Sequence, residues 1–307
     1  MTNSCPPSAT SPSETTVFAP AKVNLILRIL DRRNDGFHNV WSLMHTVGLE
    51  DEVSIRLAPG STDIRLQCDS QSLSVDHTNL VYRAVLAVRQ QSERTVGLDI
   101  VLKKRIPMGA GLGGGSSDAA ATIVGLNRLL NLGWSQREMA AVGERLGSDV
   151  PFFFFAPSAI VSGRGERVDP VRMIGARWVV LINPGFPVET KWAYHQLSST
   201  RARTPSLPHS LVEVQKEDAL SWEQVSKEAH NDFEGPVFRA HPVLRQLKMR
   251  LLEMGAETTL LSGSGATVFG VFQNDEKARE AAERFRDDLK LRVFVVAAGS
   301  GPLGWRA

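Results

Sequence analysis

Residues 107–118 read Pro-Met-Gly-Ala-Gly-Leu-Gly-Gly-Gly-Ser-Ser-Asp, and five of the seven positions from 109 to 115 are glycine. Such a segment is a poor candidate for ordinary secondary structure. Each glycine adds backbone entropy that folding must overcome, and none brings a side chain to bury. Glycine instead permits positive φ and removes the Cβ atoms that keep backbone N–H groups away from a ligand. The segment follows a strand-like run over residues 98–103. It precedes an Ala-rich run with helical periodicity from about Ser116 to Leu130, apolar at Ala120, Ile123, Val124, Leu126 and Leu130. A glycine loop that opens a helix presents free N–H groups and the positive end of the helix dipole, which together bind phosphate without a charged side chain. The competing reading is a merely flexible loop, in which five glycines would lose entropy for no return.

Two better-known phosphate patterns do not fit. Gly109-Ala110-Gly111-Leu112-Gly113-Gly114 matches G-x-G-x-x-G, but the dinucleotide site also needs an acidic residue about 20 positions on, ending a second strand. That region holds Trp134, at a turn into another helix. No Gly-Lys-Ser/Thr closes the loop as in a Walker motif, and the protein-kinase set of strand lysine and His-Arg-Asp is missing.

Composition narrows the class. The 307 residues are 42% hydrophobic and 22% charged, an ordinary globular balance of one large or two ordinary domains. Lys and Arg number 35 against 33 Asp and Glu, and the first 160 residues carry 15 of each sign. This argues against a polybasic nucleic-acid module. No apolar run approaches the ~20 residues that span a bilayer, so no membrane association is expected. Two cysteines, Cys5 and Cys68, make no disulfide framework and fit a cytoplasmic setting. His77, His195, His209, His230 and His241 show no metal-ligand spacing. His45, beside Met44 in an apolar stretch, reads as structural.

Along the chain, residues 1–16 hold eleven Ser, Thr or Pro and one charge, and read as a disordered extension without a secretory signal. Order is expected from Val17. Strands are expected over 21–30, 53–57, 63–68, 98–103, 177–182, 258–261, 267–272 and 292–298, the second and third around a Pro59-Gly60 turn. Phe152, Phe153, Phe154 and Phe155 read as a buried strand. Helices are expected over 79–91, 116–130, 135–146, 243–254 and 275–288, with Ser135 and Glu138 forming a capping box. The class is α+β in two domains, with a boundary near residue 160, within roughly ten positions: extension 1–16, first domain 17–160, second domain 161–307.

The loop sequence resembles the phosphate loop of the GHMP kinase superfamily. Pro20-Ala21-Lys22-Val23-Asn24-Leu25 and Leu261-Ser262-Gly263-Ser264-Gly265-Ala266 resemble its other two motifs, in the right order. Four further pieces resemble one branch of it: Ala19-Pro20-Ala21-Lys22-Val23-Asn24-Leu25, Arg33-Asn34-Asp35-Gly36-Phe37-His38, Leu146-Gly147-Ser148-Asp149-Val150-Pro151-Phe152 and Asn231-Asp232-Phe233-Glu234. Phe37 departs from the tyrosine usual there, which keeps an aromatic face and loses a hydroxyl.

The resemblance implies a ribosomal protein S5 domain 2-like first domain and a ferredoxin-like second domain. It implies an ATP-dependent kinase with Mg²⁺ as cofactor, acting on a small molecule, 4-diphosphocytidyl-2-C-methyl-D-erythritol, at its 2-hydroxyl. It implies Asp149 as the base, with Lys22 beside it to lower its pKa and stabilise the acceptor oxygen. ATP phosphates would lie on Pro107, Met108, Gly109, Ala110, Gly111, Leu112, Gly113, Gly114, Gly115, Ser116 and Ser117, the two serines donating hydroxyls to phosphate or Mg²⁺ or capping the next helix. Asp118 reads as a partner of the helix dipole rather than a metal ligand. His38 would hydrogen-bond cytosine, Phe37 and Tyr194 would sandwich it, and Asn24 and Thr190 would make further substrate contacts. Gly263–Gly265 would close the cleft. Two alternatives stay open: another superfamily kinase, homoserine kinase being nearest, against which Asp-Gly-Phe-His argues; and a nucleotide sensor without chemistry, against which Lys22 and Asp149 argue.

Overall fold

The computed structural model describes residues 13–201 and 205–299. Two long antiparallel strands dominate the first half, β1 (Glu14–Arg32) and β2 (His38–Ala58). They are followed by β3 (Ile64–Cys68), α1 (Leu80–Ser92), β4 (Gly97–Lys103), α2 (Gly114–Leu129), α3 (Gln136–Glu144), α4 (Phe152–Phe155), β5 (Ser158–Gly163) and β6 (Arg167–Pro170). The second half contains β7 (Arg172–Ile174), β8 (Trp178–Asn183), α5 (Thr190–Thr200), α6 (His209–Val214), β9 (Ala219–Ser221), α7 (Trp222–Glu228), β10 (His230–Asn231), α8 (Glu234–Ala240), α9 (Pro242–Glu253), β11 (Thr258–Leu261), β12 (Val268–Phe272), α10 (Asp275–Glu283) and β13 (Arg292–Ala297).

The first sheet runs β10-β1-β2-β4-β3, with β5 and β6 continuing from β2. The second runs β11-β12-β8-β13, antiparallel throughout, and β7 and β9 form a small parallel pair. In chain order the second sheet is strand, helices, two strands, helix, strand with the first strand central, which is the ferredoxin-like arrangement. Burial sorts these elements into four layers. Val53, Ile55, Leu98 and Ile100 of the first sheet pack under α1 and α2. Ala21, Val23, Trp41 and Leu43 meet Val179, Leu181, Phe269 and Val271 of the second sheet. Val180 and Ile182, on the opposite face of β8, pack with Leu244, Leu247 and Ala278 of the outer helices. The run Val179–Val180–Leu181–Ile182 is apolar at every position because both of its faces are buried.

Several expectations are corrected. Residues 14–16 belong to β1, so only 1–12 of the expected extension lie outside the described residues. The four phenylalanines 152–155 form a helix: Pro151 immediately before them has helical φ and ψ, and Phe152, Phe153 and Phe154 are buried together rather than on alternate faces. Residues 53–57 are the end of the 21-residue β2, and β3 does not pair with it across the Pro59-Gly60 turn but runs parallel to β4. The boundary expected within ten positions of residue 160 is not among these corrections: β5 contains position 160, and the first sheet continues to Pro170. The capping box of Ser135 and Glu138 is present as expected.

Candidate active site

The register of β1 shifts between Pro20 and Ala21 and again between Asn24 and Ile26. A bulge exchanges the faces of a strand. Val17 and Ala19 therefore face the helices, while Ala21, Val23 and Leu25 face the second sheet. The intervening Lys22 and Asn24 are turned toward the glycine loop. Their side chains are buried and bonded to one another: Lys22 Nζ donates to Asn24 Oδ1 at 2.7 Å, and Asn24 Nδ2 donates to Ser42 Oγ at 2.8 Å. Lys22 Nζ also lies 3.7 Å from Asp149 Oδ2. Burial pushes the lysine pKa down, and the facing carboxylate opposes that shift. Asp149 sits in the turn between α3 and α4 with its side chain one-third exposed, open to a substrate where Lys22 is not.

The glycine loop crosses above this pair. Lys22 N donates to Leu112 O at 2.9 Å, and a Cβ on Gly113 would lie 2.9 Å from Lys22 Cγ. Gly113, in the left-handed region at φ +71, is the N-cap of α2, and no side chain caps that helix. The first-turn N–H groups of α2 are thus available to an anion. The helix begins at Gly114, two residues before expectation, so Ser116 and Ser117 lie within it and do not cap it. Ser117 Oγ is buried without a partner, and a Cβ on Gly147 would lie 4.0 Å from Ser116 Oγ.

Asp118 lies beyond the first turn, so it does not serve the helix dipole. It is ion-paired to Lys104 at 2.6 Å, and the same ammonium bonds Asp51. Asp51 Oδ1 in turn accepts the N–H groups of Arg105 (2.5 Å) and Ile106 (2.9 Å). Both stems of the glycine loop are therefore fixed to β2. Burial, opposed by Lys104 and reinforced by the nearby Asp51, pushes the Asp118 carboxyl above the usual carboxylate range. The sequence reading missed Asp51 and Lys104, which stand in ordinary-looking charged surroundings.

The Ser262–Gly265 turn meets the loop from the second half. Ser262 Oγ donates to Gly111 O at 2.9 Å, Thr267 N to Ala110 O at 3.2 Å, and Gly263 N to Asn24 Oδ1 at 3.0 Å. Thr190, at the start of α5, hydrogen-bonds Ser264 Oγ at 3.0 Å. Farther along α5, Tyr194 stacks on His38 with ring centroids 5.0 Å apart and meets Phe233 edge-on at 4.9 Å. Burial first, then the Asp149 charge, raises the Tyr194 pKa, so this ring lies within electrostatic reach of Asp149. Burial, then Arg32 and Arg201, lowers that of His38. Phe37 is 58% exposed and lies under the Arg164 guanidinium, 5.6 Å from ring centre. The stack present is thus His38 on Tyr194, with Phe37 outside it.

Comparison with known proteins agrees with this arrangement. The family description GHMP kinases N terminal domain matches residues 79–156, and GHMP kinases C terminal matches 209–291. A protein of Syntrophotalea carbinolica named 4-diphosphocytidyl-2-C-methyl-D-erythritol kinase is 41% identical over 91% of this chain and 97% of its own. One of the same name from Syntrophus aciditrophicus is 40% identical over 91% and 98%. A crystal structure of 4-(cytidine 5'-diphospho)-2C-methyl-D-erythritol kinase superposes with a TM-score of 0.75 at 33% identity, covering 94% of this chain and all of that one. A homoserine kinase from Cytophaga hutchinsonii superposes with a TM-score of 0.74 at 19% identity, which speaks for the fold alone. With the motifs, the two halves and the identity over nine-tenths of its length all in agreement, the chain belongs to the 4-diphosphocytidyl-2-C-methyl-D-erythritol kinase family of the GHMP kinases.

Proposed function

We propose that this chain transfers the terminal phosphoryl group of ATP to the 2-hydroxyl of 4-diphosphocytidyl-2-C-methyl-D-erythritol, in the methylerythritol phosphate route to isopentenyl diphosphate. The observation that carries the reading is the packing of the uncapped start of α2 on the Lys22–Asp149 pair: a Cβ on Gly113 would lie 2.9 Å from Lys22 Cγ, and Lys22 Nζ lies 3.7 Å from Asp149. ATP phosphates rest on residues 107–117, held by backbone N–H groups. Asp149, partly exposed and facing a buried ammonium, accepts the proton of the attacking hydroxyl. Such a base contributes about 10²–10⁴ in rate. Asn24 holds the Lys22 Nζ, and Lys22 stabilises charge on the acceptor oxygen as the O–P bond forms.

Phosphoryl transfer needs neutralisation of phosphate charge. Among the described residues no group of three or more His, Cys, Asp or Glu could hold a metal by itself. The unpartnered hydroxyl of Ser117 fits a cation bound mostly through phosphate and water. Ser116 and Ser117 are the residues that would hold Mg²⁺, which when bound would offset the phosphate charge. On the substrate side, His38, Tyr194, Phe37 and Thr190 are the contacts we assign; Asn24, buried with its amide bonded to Lys22, Ser42 and Gly263, acts through Lys22 instead. The cytidine diphosphate anchors the molecule far from the reacting hydroxyl and so orients it. The reaction is assigned to the cytoplasm, where ATP is supplied. A coupled ADP-release assay with the cytidylyl substrate, homoserine and mevalonate tests the assignment. Turnover is expected with the first alone; turnover with either of the others and none with the first would overturn it.

A further inference from the structure

The segment Asn231-Asp232-Phe233-Glu234 touches none of the groups assigned above to the phosphoryl transfer itself, yet its side chains bind the elements that hold them. β10 adds to the open edge of β1 in parallel, Leu27 opposite Asn231. The buried Asn231 amide is fully used. Its Nδ2 donates to Leu261 O at 2.7 Å and to Gly263 O at 2.8 Å, and its Oδ1 accepts Phe233 N at 2.9 Å. Gly263 is therefore gripped at its carbonyl by Asn231 and at its N–H by Asn24 Oδ1, the atom that also receives Lys22 Nζ. The fit is close: a Cβ on Gly263 would lie 3.1 Å from Gly111 O and 3.4 Å from Lys22 Nζ.

Asp232 continues the same function beside it. Its Oδ2 accepts Ile29 N at 2.6 Å and pairs with Arg201 at 2.6 Å, while Arg201 Nη1 donates to Ile29 O at 2.5 Å. These two side chains bond the edge of β1 as a next strand would, and Arg201 ties down the end of α5, the helix of Thr190 and Tyr194.

We infer that Asn231 is a positioning residue for the transfer step, acting through the Gly263 peptide and Asn24 to hold the Lys22 ammonium against Asp149. The inference rests on the proposed reaction. Without Asn231 the Gly263 carbonyl is free to turn, the second partner of Asn24 Oδ1 is released, and Lys22 gains freedom at the moment charge develops beside it. Misplacement of a held group by about 1 Å costs on the order of 10²-fold in rate.

The test is Asn231→Ala, with kcat and both KM values measured alongside the melting temperature and secondary structure. A 10- to 100-fold fall in kcat is expected, with both KM values within about threefold of wild type. The double variant with Asn24→Ala is expected to be no slower than the slower single variant, because coupled residues on one path are not additive. Wild-type kcat, an effect confined to KM, or multiplication of the two single losses would overturn the inference. Asn231→Asp keeps the volume and the acceptor for Phe233 N–H but turns an acceptor on two carbonyls; if the alanine variant does not fold, the same loss of kcat is expected from Asn231→Asp, and wild-type kcat there is refuting. Rates are taken on whichever alcohol the wild-type protein phosphorylates. An error in the assigned substrate then shows in the wild type, and an error in the role of Asn231 only in the variants.

Discussion

Gly111 and Gly60 share a φ of +77° and differ in what surrounds them. A Cβ on Gly60 would meet nothing within 4 Å, whereas on Gly111 it would run into the Ser262 carbonyl, 2.9 Å from its carbon and 3.1 Å from Gly265 N. Replacing either by alanine adds the left-handed penalty of about 1–2 kcal/mol. At Gly111 the Ser262–Gly265 turn must also back away, which breaks three bonds: Ser262 Oγ to Gly111 O (2.9 Å), Thr267 N to Ala110 O (3.2 Å) and Gly263 N to Asn24 Oδ1 (3.0 Å). At about 1 kcal/mol each, the extra loss is about 3 kcal/mol. If it falls on the transfer step, it corresponds to about 10²-fold in kcat/KM. The assay is ADP release, run beside urea melts of both variants. Gly60→Ala is expected to melt earlier with wild-type kcat/KM, and Gly111→Ala to lose activity by the stated factor. Equal effects of the two substitutions on activity would refute the claim that contact between the two turns, rather than glycine's backbone freedom, is what the site requires.

Three other outcomes follow from the geometry. Asp149→Asn is expected to lower kcat by about 10²–10⁴ with ADP affinity by calorimetry nearly unchanged, and wild-type turnover would remove its role as base. Lys104→Met leaves Asp51 and Asp118 facing each other in the interior and is expected to cost about 3–5 kcal/mol in urea melts, partly recovered by adding Asp118→Asn; a loss below about 1 kcal/mol would contradict the pairing. Burial holds His45 at about 4, below its ordinary value of 6.5, so the unfolded chain binds the proton first. Its contribution is complete above about pH 6.5 and is lost as pH falls toward 4, a total of roughly 3 kcal/mol. His45→Gln is expected to flatten that slope, and an unchanged slope would exclude the histidine as its source.

What could be read without coordinates was whatever depends on local chemistry. The glycine loop between strand and helix, the Ser135 capping box and the apolar run of β8 follow from backbone and burial rules that act within a few residues. The four phenylalanines misled because a short apolar run is compatible with strand and helix alike, and the choice was made by the helical turn that Pro151 begins. The bulges of β1 were not readable either. Nothing in Pro20-Ala21-Lys22-Val23-Asn24 says that the strand changes face, although that change is what points Lys22 at the loop. Long-range partners fared worst: Asn231 stands in a motif that could be quoted but not interpreted, because its bonds go to residues 30 and 32 positions away.

The strand β10 has a consequence for synthesis of the chain. The edge of β1 at residues 26–29 is completed only by residues 230–232, about 200 residues later. A ribosome adding ~5–20 residues per second leaves that edge open for ~10–40 s. During that interval the strand that carries Lys22 is an unpaired template for any other extended chain. The nascent protein is thus exposed to misassociation at the strand that carries Lys22 and Asn24, and slow translation or crowded polysomes should lower its soluble yield before any defect in the finished enzyme can be measured.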